Sequence, residues 1–286
     1  MISFVEKGAQ SLEAAKNTIN YVQQHPDIRG PNGEKIIYKR DEVAIKAPVR
    51  PEKILGVAVN NKKRVAQFSI KHPILFWKGG STTVIGDGEE IELPKESLLT
   101  HVEVELAVII GKICRRVPAS EAYNYVFGYT VLNDISAEDL FRAYKLEDKS
   151  YGERLVGRRL STEPEVFQKH GVTLVSWVEN KNWDTFAPIG PWIVTRDELP
   201  NPHDPPLHYT AKVNDKIVQD GDADLYWKIP EIIEKGSKVM TLKPGDIITT
   251  GTVSPILPIH VLKPGDFVEA TINKIGTIRN NCVLAP

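Results

Sequence analysis

Two glutamates separated by a single residue, Glu103 and Glu105, lie in a stretch of the chain that is otherwise nearly all apolar. Alternate side chains of a β-strand point to opposite faces, so both carboxylates would share one face with Ala107 and Ile109. Two carboxylates at the rim of a buried surface repel each other and resist desolvation unless a cation compensates them. Magnesium, manganese or calcium would do so, because these hard ions prefer oxygen ligands. The alternative is that both glutamates face water beyond the edge of the sheet.

Three later segments carry further groups of chemical interest. Asp134 follows an apolar run, where it would either add a third carboxylate or cap a helix. Three carboxylates would leave positions for water and substrate, as magnesium sites usually do. Lys181 lies in a passage rich in aromatic residues and proline, although a lone lysine is usually a solvated surface group. The sequence Thr-Thr-Gly-Thr at 249–252 suits the close approach of an anion and is a weak signal by itself.

The elements that would position these groups are mostly β-strands. Short apolar runs flanked by turn residues predict strands at 54–59, 101–110, 126–132 and 190–194. Helical periodicity predicts helices at 11–24, 138–146 and 229–235. Leu-Lys-Pro-Gly-Asp occurs at 242–246 and again at 262–266, and because Pro-Gly is a strong turn former, each copy should deliver the chain into a strand. The predicted fold class is α+β, dominated by β-strands.

The chain of 286 residues is long enough for one large domain with a small appendage. Pro48 and Pro51 bracket a short connector, which predicts a small N-terminal cap over 1–51 and a main domain over 52–286. Residues 141–178 stand apart within that domain because they are densely charged and weakly periodic. They are interpreted as a surface insertion or, alternatively, as a lid over a site.

Composition narrows the classes of partner and the compartment. A formal net charge of −1 offers no general attraction to nucleic acid or to an anionic membrane. No apolar run approaches the length of a membrane span, and the first residues lack the apolar core of a signal peptide. Cys114 and Cys282 are too few for a disulfide framework or a thiolate metal site. A cytoplasmic protein is therefore expected.

Read together, these segments resemble the fumarylacetoacetate hydrolase family. The resemblance runs from about residue 52 to 280 and is interrupted by the charged insertion. Four motifs occur in the family's order: Glu-x-Glu-Leu-Ala-Val-x-Ile-Gly-Lys, Gly-Tyr-Thr-Val-Leu-Asn-Asp-x-Ser-Ala-x-Asp, Lys-x-x-Asp-Thr-Phe-Ala-Pro-x-Gly-Pro-Trp and Leu-x-Pro-Gly-Asp-Ile-Ile-x-Thr-Gly-Thr. Phe76-Trp-Lys78 upstream, and Val213-Asn214 with Gln219 downstream, also fit the pattern. Four ordered motifs make an accidental similarity very improbable.

The resemblance implies a mixed β-roll catalytic domain, a homodimer and a divalent metal, Mg²⁺ or alternatively Mn²⁺ or Ca²⁺. It implies a 2-oxo or 1,3-diketo acid as substrate. By motif position, Glu103, Glu105 and Asp134 match the metal ligands. Lys181 matches a lysine that binds substrate and stabilises developing negative charge, and Thr252 matches a threonine that contacts the substrate. Such a site favours the enolate and so lowers the barrier to C–C bond hydrolysis, decarboxylation or isomerisation.

The chain departs from the family pattern at four positions. Arg64 and Gln67, in the segment 60–67, stand where the family has the histidine and glutamate that activate water. Arginine does not lose its proton at working pH, and glutamine cannot charge-stabilise a base. At the substrate-facing positions, Glu138 replaces an arginine and Phe141 replaces a glutamine. These exchanges disfavour simple hydrolysis by the family's dyad.

Other residues would then have to carry the reaction. His72, His170 and Glu153 are candidates on chemical grounds alone, from the insertion, elsewhere in the chain or a second subunit. Arg64 would instead anchor a substrate carboxylate, with Lys181 as the general acid or base. That combination suits enolate chemistry that needs no activated water. The alternative hypothesis is a catalytically silent family member that binds a metal and a small acid.

Overall fold

A computed structural model of the protein describes residues 1–141, 144–146, 172–174 and 176–286. Strands dominate it, as the α+β prediction requires. The strands, numbered along the chain, are β1 Ile54–Ala58, β2 Ile74–Trp77, β3 Val84–Ile85, β4 Ile91–Leu93, β5 Thr100–His101, β6 Val104–Ile110, β7 Val126–Asn133, β8 Ser136–Ala137, β9 Tyr144–Leu146, β10 Val172–Leu174, β11 Ala187–Thr195, β12 His208–Val213, β13 Lys216–Asp222, β14 Ile247–Thr252, β15 Phe267–Ile272 and β16 Gly276–Leu284.

The helices lie at the ends and edges of this arrangement. The α-helices of the described residues are α1 Ile2–Lys7, α2 Ala9–Gln24, α3 Lys62–Gln67, α4 Trp177–Lys181 and α5 Ile229–Val239. Short 3₁₀ helices span Arg40–Glu42, Ala119–Tyr125 and Glu138–Leu140. None of the described helices has both the length and the apolar character needed to cross a membrane.

Two main sheets form the body of the protein. One has seven strands in the order β2-β1-β14-β6-β7-β11-β3, and the other has five in the order β13-β12-β15-β16-β4. The central strand β6 pairs antiparallel with β14 on one side and β7 on the other. Every residue of β6 and β7 is buried, which explains why both read as continuous apolar runs rather than as alternating ones.

The two faces of β6 serve two apolar clusters. Leu106 and Val108 belong to the main core, which also contains residues of the five-stranded sheet. Ala107 and Ile109 lie on the other face, in a second cluster that includes Val5 from the N-terminal segment. Burying a large aliphatic side chain contributes about 1.5–3 kcal/mol, so both faces hold the strand in register. The rigid strand therefore fixes the direction of Glu105, which shares the face of Ala107.

The repeated pentapeptide forms the predicted turns. In each copy the aspartate N–H donates to the lysine carbonyl at 3.0 Å, with Pro at the second and Gly at the third position of the turn. Gly245 and Gly265 have φ angles of 88° and 92°, which a type II turn requires and which favour glycine. The strands β14 and β15 begin directly after the two turns, as predicted.

The structure corrects some element boundaries. The predicted helix over 138–146 is wrong: a 3₁₀ turn at Glu138–Leu140 is followed by the strand β9. Asp139 explains the break, because its carboxylate accepts hydrogen bonds from the Leu98 and Leu99 N–H groups instead of lying on a helix. The N-terminal segment holds a further helix, α1, before the predicted one. The division at residue 51 stays a prediction, and most of the predicted insertion 141–178 lies outside the described residues.

Candidate metal centre and active site

Three carboxylates converge at one end of the central strands. Glu105 lies near the start of β6, Glu103 immediately precedes this strand, and Asp134 immediately follows β7. Because β6 and β7 run antiparallel, the start of one meets the end of the other. One ligand oxygen from each of the three side chains lies within 4.8 Å of the others. Asp134 is therefore not a helix cap. Glu105, at 2% exposure, does not face water, and Glu103 is half-buried.

Lys181 joins this group from the last residue of α4. Its Nζ donates to Glu103 Oε2 at 2.7 Å, to Asp134 Oδ2 at 2.8 Å and to the Ser136 hydroxyl. Ser176 caps the N-terminus of α4 by accepting the Glu179 N–H, which fixes where this short helix begins. Lys181 is buried rather than a solvated surface lysine. Burial opposes its charge, but Asp134 and Glu103 outweigh burial and raise the pKa of the ammonium.

A second lysine, which the sequence analysis noted only as part of a motif, lies beneath the first. Lys78 has no solvent exposure, and its Nζ is 2.6 Å from Asp134 Oδ1, a contact that is an ion pair by distance rather than an aligned hydrogen bond. It also donates to the Ile135 carbonyl at 3.0 Å and to the Lys181 carbonyl at 2.8 Å. Burial lowers the pKa of Lys78 to about 8, against the attraction of Asp134. Lys78 thus ties the third carboxylate to the backbone of the substrate-facing lysine.

The carboxylates differ in how they are compensated. Burial disfavours the charge of Asp134, but Lys181 and Lys78 together hold its pKa below the usual value. Burial, reinforced by the neighbouring Asp134 and Glu103, raises the pKa of Glu105 to about 8. Glu105 Oε2 does accept the Gly251 N–H at 2.8 Å. One hydrogen bond does not offset burial beside two like charges.

This donor set fits a hard divalent cation. All three groups offer carboxylate oxygens, which suit magnesium, manganese and calcium. With every group ionised, three carboxylates and the ammoniums of Lys78 and Lys181 carry a net charge of −1, so a divalent ion would make the centre positive. The raised pKa of Glu105 is what a buried carboxylate shows when its neighbours alone do not neutralise it.

Thr252 lies at the end of β14, where its hydroxyl is held from two sides. Its Oγ1 donates to the Val104 carbonyl at 2.7 Å and accepts from Gln219 Nε2 at 3.0 Å. Gln219 is fully buried and also accepts the Val104 N–H. The hydroxyl proton of Thr252 is therefore committed to the backbone, and one lone pair is left for a ligand. The β14 strand end lies against β6 because Thr252 pairs with Glu105.

A cavity of about 320 Å³ opens above the carboxylates. Its lining includes the other site residues that the sequence predicts, together with Lys181: Arg64, Glu138, Phe141 and Thr252. Arg64 comes from α3, and the pair Glu138 and Phe141 from the 3₁₀ turn and the residue after it. This size suits a small organic acid. The structure thus brings these predicted site residues to one cavity.

A histidine that the sequence analysis did not select faces Glu138 in this cavity. His101 Nε2 lies 3.8 Å from Glu138 Oε2, and His101 is 5% exposed. Burial opposes its protonation, but Glu138 and Glu103 raise the pKa of the imidazole. In return His101, with Lys181 and Arg64, keeps the pKa of Glu138 below its usual value despite partial burial. Glu138, which stands where the family pattern has an arginine, therefore forms an acid–imidazole pair with His101 beside the carboxylate triad.

Other expected participants do not reach the cavity. Gln67 is exposed on α3, and the exposed His72 is likewise absent from the lining. His170 and Glu153 lie outside the described residues. Asn180, in contrast, lines the cavity and is 2% exposed, yet its Oδ1 has no hydrogen-bond partner among the described residues. Nothing in the sequence pattern distinguished Asn180 from a surface residue.

A strand-dominated α+β fold places a carboxylate triad, which fits a divalent cation, under a small cavity. Comparison with known proteins gives the family. Residues 53–283 match the model of the fumarylacetoacetate (FAA) hydrolase C-terminal domain. The chain belongs to the fumarylacetoacetate hydrolase family.

Relatives of known activity are enzymes. The human mitochondrial oxaloacetate tautomerase FAHD2A is 32% identical over 292 residues, which cover 99% of this chain and 79% of the relative. The crystal structure of 5-carboxymethyl-2-hydroxymuconate delta-isomerase from Mycobacterium smegmatis is similar with a TM-score of 0.66 and 31% identity, covering 86% of this chain and 82% of that one.

A third relative shows a metal. Maleylpyruvate hydrolase from Sphingobium sp. SYK-6, solved with manganese(II) and pyruvate, is similar with a TM-score of 0.68 and 26% identity. It covers all of this chain, and this similarity extends over 86% of that one. The predictions of an enzyme of this family, and of the fold, are confirmed by these similarities. The predictions of a divalent metal and of a small acid as ligand agree with these similarities.

Proposed function

We propose that the protein is a divalent-metal-dependent enzyme that enolises a 2-oxo acid, acting as a tautomerase or isomerase rather than as a hydrolase. The observation that carries the proposal is the carboxylate triad Glu103, Glu105 and Asp134 with Lys181 against one cavity, combined with Arg64 and Gln67 in place of the water-activating pair. The 32% identity to an oxaloacetate tautomerase over 99% of the chain supports the same class of reaction.

Glu103, Glu105 and Asp134 would hold the cation, which would supply Lewis-acid stabilisation of the enolate. The protein's own residues do the rest. Lys181 holds its ammonium beside the triad, where it stabilises negative charge on the substrate oxygen. Glu138, whose lowered pKa keeps it ionised, is the carboxylate that the described part of the cavity lining has outside the triad. It accepts the proton from the carbon next to the oxo group as the enolate forms and returns it to that carbon in the reverse direction, while the enol oxygen exchanges its proton with water. His101 orients Glu138.

Three finer features belong to the proposal. Magnesium is the ion we expect, although the similar maleylpyruvate hydrolase holds manganese. We expect a homodimer in the cytoplasm, although the human relative is mitochondrial. Decarboxylation of a 2-oxo diacid proceeds through the same enolate and is the second reaction to assay.

The test is a tautomerisation assay with oxaloacetate, following the loss of the enol form with Mg²⁺ or Mn²⁺ and after chelation by EDTA. We expect metal-dependent turnover that drops by about 10²–10³-fold in Lys181→Met. Isothermal titration of the metal into each protein is run alongside. A chain that binds the metal but turns over no 2-oxo acid would instead support the catalytically silent family member.

A further inference from the structure

Three aromatic side chains form one wall of the cavity, which we call the aromatic wall: Phe76, Phe141 and Trp177. Phe76 and Trp177 are stacked, with ring centroids 5.0 Å apart and planes 7° from parallel. Phe141 leans on Trp177 at 4.6 Å with an interplanar angle of 58°. They come from β2, from the residue after the 3₁₀ turn Glu138–Leu140 and from the start of α4, so three separate segments place rings at the same point. Such convergence builds a surface suited to a flat apolar group.

The aromatic wall begins directly beside the carboxylate triad. Lys181 Nζ, which bridges two of the carboxylates, is 5.3 Å from the centre of the Phe76 ring. Trp177 precedes Lys181 by four residues, one helical turn, so both project from the same side of α4. An acid whose carboxylate and oxo oxygens lie at the triad therefore extends its next atoms along the rings. The wall is positioned to meet the arm of the substrate, beyond the reacting carbon.

The charges on this side of the cavity offer little to a second carboxylate. Among the residues the structure describes, Arg64 is the cation of the lining that is neither bound to the triad, as Lys181 is, nor paired with Glu138, as His101 is. Glu138 faces Arg64 from the same cavity. The Glu138 side chain is 51% exposed and lies close enough for Arg64 to favour its ionised form. A distal carboxylate attracted by Arg64 is thus repelled by Glu138, and the two effects oppose each other. The attraction of the aromatic wall for a flat apolar arm is not opposed in this way.

We propose that the cavity selects a 2-oxo monocarboxylic acid with a planar aryl arm, of the arylpyruvate class, over a 2-oxo dicarboxylic acid of similar length. The position of the 2-oxo acid at the triad rests on the proposed function. The new element is the chemical class of the substrate's other end, the arm beyond the reacting carbon. The two residues that set this preference are Phe141, where the family has an amide, and Trp177.

Two unreactive acids with the same oxalyl head separate the possibilities. N-phenyloxamate carries a planar aryl arm, and N-oxalylglycine carries a carboxylate arm. Their affinities for the manganese-loaded protein are measured by calorimetry. We expect N-phenyloxamate to bind at least about tenfold more tightly, because stacking on aromatic rings favours a flat arm. We expect this preference to fall to about threefold or less in Phe141→Gln and in Trp177→Leu.

Matched controls use rings away from the cavity: Phe267→Gln on β15 and Trp192→Leu on β11 should keep the full preference, since these side chains are 38% and 57% exposed. Circular dichroism and metal titration verify that each variant folds and holds manganese. If Trp177→Leu does not fold, Phe141→Gln still tests the proposal, because Phe141 is partly exposed. Equal or tighter binding of N-oxalylglycine by the wild-type protein overturns the proposal, as does failure of both acids to bind. A retained aryl preference without turnover of any 2-oxo acid would overturn the proposed reaction alone.

Discussion

Lys78 shows how one residue, remote in sequence, governs the geometry of the site. It lies 56 positions before Asp134, and its ammonium contacts the carboxylate and two backbone carbonyls with no access to water. Motif spacing placed Lys78 in the pattern but could not show this pairing, because it arises only when β2 and β7 enter the same sheet. Asp134 is thereby oriented before any ligand binds.

Replacing Lys78 with methionine should lower the free energy of unfolding by about 3–5 kcal/mol, because a buried carboxylate loses its partner. The measurement is urea denaturation in the presence of EDTA. Lys35→Met is the matched control, because the pair of Lys35 with Glu42 at 2.6 Å is exposed and screened by solvent, so its loss should change the free energy of unfolding little. A loss in Lys78→Met no larger than the loss in Lys35→Met would refute the structural role of this ion pair.

Glu138 carries the second prediction at this scale. Glu138→Gln keeps the size of the side chain and removes its ability to accept a proton, so kcat for tautomerisation should fall by about 10²–10³-fold with KM changing much less. Asp139→Asn, one residue along, changes a carboxylate that holds the Leu98 and Leu99 N–H groups rather than one that lines the cavity. Asp139→Asn should keep kcat within about threefold of the wild-type value. Unchanged kcat in Glu138→Gln would assign the proton to another group.

At the scale of elements, the sequence predicted the turns and strands that depend on neighbouring residues. The Pro-Gly-Asp turns and the apolar runs that became β6 and β7 depend on nearby residues and were predicted correctly. The helix expected over 138–146 failed because Ser136 and Ala137 pair with β5, and Glu138 N–H donates to the Leu99 carbonyl at 2.9 Å. Contacts across some forty residues outweighed helical propensity. His101 and Asn180 likewise gain meaning only from such contacts.

The N-terminus of α5 makes stability depend on pH. His203 Nε2 accepts the Ile229 N–H at 3.2 Å, and burial, followed by Lys228, lowers the pKa of His203 to about 4. The unfolded chain therefore takes up a proton below pH 6.5 while the folded protein does not until about pH 4. The stability held above pH 6.5 should decline between these values, by up to about 3 kcal/mol at completion.

The measurement is the free energy of unfolding at a series of pH values from about 7.5 to about 4. This series covers the range over which histidines titrate. His203→Gln keeps a hydrogen-bond acceptor without a titrating ring, and it should show a shallower decline than wild type by about that amount. His25→Gln removes an exposed histidine at the end of α2 and should follow the wild-type curve. Parallel curves for wild type and His203→Gln would contradict the assignment.

At the scale of the whole molecule, the candidate metal centre lies where several elements of the fold meet. The triad takes its residues from β6, from the segment before it and from the end of β7, and β14 and α4 close over it through Gly251 and Lys181. Central strands of the larger sheet therefore meet at the triad, and a divalent ion bound there should stabilise the fold as one unit. At a metal concentration of about 100 times the dissociation constant, the expected gain is about 2.7 kcal/mol.

Thermal and urea unfolding with Mg²⁺, with Mn²⁺ and with EDTA measure this gain. Glu105→Gln keeps the Gly251 hydrogen bond to a side-chain oxygen but removes one charged ligand, so the metal-dependent gain should fall to a small fraction of the wild-type value while the metal-free protein stays folded. Asp222→Asn, on the exposed end of β13, is the matched control, because its side chain is 70% exposed. It should retain the full gain. If Glu105→Gln is stabilised by the metal as strongly as Asp222→Asn, the ion binds elsewhere, and the triad is a buried charge cluster held by Lys78 and Lys181 alone.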